Sequence, residues 1–121
     1  MLNNNKTYEN SNLRDVQKTF NDGIVRIYSA KERKLIRLKG EFMFSNESVG
    51  SNQFYEAHVN NINIDRSIGV LANDIITLQD VAKIDNVFYR IVRIQYKDNN
   101  KPHWLNIVLE RSVFNYEIDT N

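Results

Sequence analysis

The stretch KIDNVFYRIVRIQY, Lys83 to Tyr96, decides the fold. Two apolar runs are pinched around Asp85-Asn86, and both residue types tolerate the left-handed backbone angles of a two-residue hairpin turn. Val87, Tyr89 and Ile91 share one face of a period-2 strand, with Arg90 opposite them. Val92, Ile94 and Tyr96 fall on the next parity, with Arg93 opposite, so the spacing predicts a bulge or twist at Ile91-Val92. Nothing in this hairpin carries catalytic chemistry.

Downstream, KDNNKP reads as a loop, and HWLNIVLER returns as a strand. Leu105, Ile107 and Leu109 point inward there, with Asn106 and Glu110 outward. Upstream, ANDIITLQD has room for one helical turn. NNINIDRSIGVL is extended, with Ile62, Ile64, Ile68 and Val70 on one parity. QFYEAHV is a strand whose Tyr55, Ala57 and Val59 lie on the other parity, which implies a bend near Asn60-Asn61. KLIRLKGEFMF alternates most cleanly: Ile36, Leu38, Phe42 and Phe44 share a face with Gly40, against Arg37, Lys39 and Glu41. Gly40 in mid-strand predicts a bulge or a close backbone approach. Gly23 opens the first strand, GIVRIYSA, and AKERK follows it as a polar connector.

Residues 1–22 read as a flexible polar arm in which Leu13, Val16 and Phe20 sit at the spacing of a short docking helix. Residues 23–111 form one β domain. Residues 112–121 are a tail with Val113, Phe114, Tyr116 and Ile118 but no evident strand partner. Short strands with turn signals every ten residues or so predict a mainly β chain, a small antiparallel barrel or sandwich with at most one short helix.

A chain of 121 residues sits comfortably below the roughly 250 residues one core can serve. It has no cysteine, which excludes a disulfide scaffold and thiolate metal sites. No run approaches the ~18 apolar residues of a membrane helix, and no signal-peptide pattern opens the chain, so no membrane partner is expected. Net charge is only +1, but it is uneven. From Gly23 to Ser48 six basic residues face three acids, whereas from Val49 onward seven basic residues face nine acids. The basic excess falls on Arg26, Lys31, Arg33, Lys34, Arg37 and Lys39, either a solvated strand face or a patch for an acidic partner.

His58 and His103 are the only imidazoles, far apart and without metal-binding spacing. No nucleophile elbow, phosphate-cradling glycine loop or calcium loop is present, and Asp74, Asp80 and Asp85 read as turn and strand-end residues. The inventory predicts no enzyme and no cofactor. Arg26, Arg37, Arg90 and Arg93 lie near Tyr28, Tyr89, Tyr96 and Trp104, a composition that a single-stranded nucleic-acid-binding barrel would use for stacking. The tyrosines share parity with apolar residues, however, which favours packing.

Three segments resemble the head-closure (stopper, or head–tail joining) proteins of long-tailed bacteriophages. SVGSNQFYEAHV, with Tyr55 and Ala57, is similar to their loop-then-strand. ITLQDVAKIDNVFYRIVRI is similar to their most regular segment, through Asp80, Val81, Ile84, Asp85, Asn86, Tyr89, Ile91 and Ile94. NNKPHWLNIVLER is similar to the closing loop and strand. The resemblance spans residues 23–111, and the long polar arm departs from it.

The resemblance implies a neck component of the virion, assembled in the host cytoplasm. It would form a homo-oligomeric ring below portal and adaptor proteins, hold back packaged double-stranded DNA, and receive a tail terminator or tail protein from below. By the same analogy the channel loop is Ser45, Asn46, Glu47, Ser48, Val49, Gly50, Ser51, Asn52 and Gln53. Arg26, Arg33, Lys34, Arg37 and Lys39 would meet an acidic surface of a neighbouring ring. The alternatives are another neck component, such as a tail terminator, and the single-stranded nucleic-acid-binding barrel.

Overall fold

The computed structural model describes residues 17–49, 64–98, 101–113 and 116–118, with the side chains of Ile36 and Ile118 excepted. Among them are seven strands and no helix: β1 (Gly23–Lys31), β2 (Lys34–Glu47), β3 (Arg66–Leu71), β4 (Val81–Ile84), β5 (Val87–Lys97), β6 (Trp104–Arg111) and β7 (Glu117–Ile118). The order β1-β4-β5-β6-β3-β2 closes on itself through β1–β2 pairing, giving an antiparallel six-stranded barrel with β7 attached to β2. The barrel is thus two meanders, β1–β2–β3 and β4–β5–β6, sewn together by β3–β6 and β1–β4.

The hairpin at Lys83–Tyr96 forms as its residues dictate. Asp85 and Asn86 take φ of 50° and 66°, and β4 pairs β5 from Ile84–Val87 outward. Two consecutive positive φ values match the twist of the flanking strands, as a type I′ turn does. Val92 is the unpaired bulge residue between Ile91–Leu109 and Arg93–Val108. Lys39 bulges beside Gly40, between the Ile27–Gly40 and Tyr28–Leu38 pairs. That bulge shifts parity, so Leu38 is exposed instead of sharing the inner face of Phe42 and Phe44. A second shift leaves Ile36 without a β1 partner and turns Leu35 into full burial.

The interior is filled from every strand of the barrel, with Val25, Ile27, Ile68, Val70, Ile107 and Leu109 completely buried. Each such side chain contributes roughly 1.5–3 kcal/mol by leaving water. Ile76, from the β3–β4 connection, plugs one end. That connection is built of turns, not the helical turn its sequence allowed: Asn73 accepts the N–H groups of Ile75 and Ile76, and Asp80 accepts that of Thr77. A smaller cluster outside the barrel joins Tyr28, Leu35 and Val81 to Phe88 and Tyr116. The tail does find a strand partner: β7 runs parallel to β2 at Lys34 and Leu35. The expected helix has no support over residues 17–20, which hold no regular structure. Its residues Leu13 and Val16, the rest of the arm through residue 16, and the QFYEAHV strand lie outside the described residues.

Candidate functional site

The connection from β2 to β3 opens from one end of the barrel, and its base is held by side chains. Asp22 accepts the Asn46 N–H at 2.8 Å, and Arg66 donates to Asn46 Oδ1 at 2.8 Å. Ser45, buried in the wall, donates its hydroxyl to Glu47 at 2.6 Å. Glu47 also pairs with Lys18, whose ammonium lies 4.3 Å from the Trp104 ring centroid. The Lys18 N–H donates to the Lys101 carbonyl at 3.2 Å, so residues 17–18 are strapped across the outer face of the barrel.

These contacts correct the expected channel loop. Ser45, Asn46 and Glu47 belong to β2, which pairs with β3 as far as Glu47–Ser67. Ser48 and Val49 leave the sheet, while Gly50, Ser51, Asn52 and Gln53 lie outside the described residues. β2 and β3 are antiparallel neighbours that a two-residue turn could join. Here residues 48–65 join them. At the start of β3, the Arg66 guanidinium sits over Phe44 at 5.3 Å and over Tyr89 at 5.8 Å.

The five basic residues do not form one patch. Arg26 is paired on the wall with Glu41 at 2.5 Å, and that hydrogen bond and charge hold its guanidinium above the usual range. Lys39 is turned inward onto Asp80 at 2.7 Å. Arg33, Lys34 and Arg37 remain together near the tip of the β1–β2 hairpin, where the Arg33 carbonyl also accepts the Glu117 N–H. Asp80, read as a strand-end residue, is that and also the counter-ion of Lys39.

As for a stacking platform, Tyr28, Tyr89 and Trp104 are buried and only Tyr96 of the aromatic set is exposed, hydrogen-bonded to His103 Nδ1 at 2.7 Å. His58 lies outside the described residues. Among the described residues no cluster of His, Asp or Glu could hold a metal ion. Two shallow clefts of about 490 and 500 Å³ are lined by mixed charges: Asp65, Arg90, Glu110 and Arg111 in one, Arg26, Lys83 and Asp85 in the other.

Sequence reasoning missed Arg66 and Lys18, and it singled out Trp104 only as a candidate stacking ring, not as the buried partner of Lys18. Gly69 in mid-strand is a signal for Trp104 alone of the three: a Cβ there would come within 2.8 Å of Ser45 Oγ and 2.9 Å of the Trp104 ring. Among the described residues the buried Trp104 indole N–H has no hydrogen-bond partner.

No protein-family model matches this chain, and no curated protein or solved structure is significantly similar to it.

Proposed function

We propose that this chain is a connector of a long-tailed bacteriophage, a ring-forming subunit that closes the DNA channel below the portal and adaptor and receives the tail. The observation that carries the reading is the long connection of residues 48–65 between neighbouring strands of a closed barrel, leaving from an end whose base is fixed by Asp22, Arg66 and Lys18. A rigid collar around a long insertion suits a segment that acts outside its own subunit.

The mechanism is steric. The barrel is packed with side chains from all six strands and Ile76, so DNA has no path through a subunit. A channel exists only between copies, and each copy contributes residues 48–65 to its closure. Repetition around the ring turns individually weak contacts into a secure plug. The basic tip at Arg33, Lys34 and Arg37 suits an acidic surface on the adjoining connector ring.

Deleting residues 50–53 from the gene in its own phage genome tests this, with the released particles viewed by electron microscopy. The expected result is folded protein, and filled heads that lose their DNA before tails join. Heads that retain DNA and become infectious would overturn the assignment of the channel segment. Infectious particles after deletion of the whole gene would overturn the connector reading. A salt-dependent affinity for single-stranded oligonucleotides would then favour the nucleic-acid-binding barrel.

A further inference from the structure

We infer that residues 17–22 are a latch: a strap held shut over the outer wall by the Lys18–Glu47 pair, which lifts when that pair is broken and bares Trp104 while the barrel stays folded. The inference stands apart from the connector reading and does not depend on it.

The wall beneath the strap is shaped by a missing side chain. Gly69 lies between Ile68 and Val70, both in the barrel interior, so its own Cβ direction is outward. The Trp104 ring occupies that direction, 2.9 Å from where a Cβ would stand, and Ser45 Oγ lies beside it at 2.8 Å. Lys18 covers the ring in turn, its ammonium 4.3 Å from the centroid and paired with Glu47. Wall, indole and lysine form a stack in which Trp104 is only 8% exposed.

Closure leaves one group unsatisfied. A buried indole N–H normally finds an acceptor, and among the described residues that of Trp104 has none. Lifting the strap lets water reach it, so the closed stack carries a cost that opening relieves. Against it stand the ion pair, the cation–π contact, half-buried Phe20 and one main-chain hydrogen bond, from the Lys18 N–H to the Lys101 carbonyl. The Lys18 and Glu47 side chains keep 20% and 17% of their exposure. Both regain water when the strap moves, and neither charge is stranded by it.

The strap has a fixed root and a loose span. Asp22 donates its N–H to the Phe44 carbonyl at 2.8 Å, and its carboxylate accepts the Asn46 N–H at 2.8 Å. From Lys18 to that root, Thr19, Phe20 and Asn21 hold no regular structure, and Thr19 and Asn21 are exposed. Movement about Asp22 therefore leaves the barrel ladders whole, with Gly23–Phe44 still the first pair of β1.

Trp104 is the sole tryptophan, so the emission of the full-length protein reports the latch directly. Lys18→Met should move that emission to longer wavelength, with the far-ultraviolet circular dichroism of the barrel unchanged. Cleavage within residues 17–22 by a nonspecific protease should accelerate roughly tenfold. Glu47→Gln, which keeps an acceptor for the Ser45 hydroxyl, should reproduce both effects. The native protein should move the same way in about 1 M sodium chloride, where the Debye length is ~3 Å, and Lys18→Met should not respond to the salt. Native emission and cleavage in both variants would overturn the inference. A red shift without faster cleavage would overturn it too, because only the cation–π contact is then lost. So would a red shift with loss of the barrel signal, which makes the pair a support of the fold. Native protein whose emission and cleavage ignore salt would overturn it whatever the variants do.

Discussion

Lys39 of β2 reaches past β1 to Asp80 at the head of β4, with 2.7 Å between ammonium and carboxylate. Asp80 is nearly buried and also accepts the Thr77 N–H at 2.8 Å, so one carboxylate ties two strands and a turn at a single barrel end. Removing either partner strands a charge away from water, at a cost of about 3 kcal/mol. Urea unfolding of Lys39→Met and of Asp80→Ala should each show a loss of that size. The double variant Lys39→Met with Asp80→Asn should recover part of it, because no lone charge is then buried.

Gly69→Ala tests the outer wall. The new methyl group would stand 2.8 Å from Ser45 Oγ and 2.9 Å from the Trp104 ring, both buried and set in neighbouring strands. Overpacking of this kind costs about 1–3 kcal/mol. The melting temperature should fall, and Trp104 fluorescence should shift as the ring is displaced from beneath Lys18.

Asn86→Gly should stabilise the protein by about half a kcal/mol. Asn86 holds φ at 66°, where an L residue is strained and glycine is not. Asn86→Val at the same position should lower stability by more than ~1 kcal/mol, since a β-branched side chain resists that backbone angle. Thermal unfolding of the two variants should therefore move in opposite directions.

Tyr116→Ala should release the tail without unfolding the barrel. Its ring meets Phe88 edge-on at 5.4 Å and belongs to the small outer cluster with Tyr28, Leu35 and Val81. Beyond that anchor, β7 contributes only two residues to the sheet. Cleavage between residues 112 and 118 by a nonspecific protease should accelerate several-fold, while the far-ultraviolet circular dichroism of the barrel stays unchanged.

The local part of this fold is legible in the sequence. The Asp85-Asn86 turn, the bulges at Gly40 and Val92, and the inward set Leu105, Ile107 and Leu109 all depend on neighbours a few residues away. Leu38 was not legible, because its exposure follows from the parity shift at Lys39, which appears only once Gly40 is set opposite Ile27. Ser45, Asn46 and Glu47 have turn-like composition, and distant partners, Lys18, Asp22 and Arg66, hold them in β2. The basic patch lost Arg26 and Lys39 for a similar reason: their counter-ions come from elsewhere in the chain. Side-chain charge can be counted from a sequence, but its neutralisation is a tertiary property.

The two seams that join the meanders are unequal. β3 and β6 are paired from Arg66–Leu109 through Leu71–Trp104, whereas β1 meets β4 only at Arg26–Lys83, Ile27–Ala82 and Tyr28–Val81. The short seam is also the one whose strands are far apart along the chain, so its closure must wait for both hairpins to exist. It is thus the last ladder to form and the first to part. In native-state hydrogen exchange its amides should open at a lower free energy than those of β6, marking the line along which this barrel breathes.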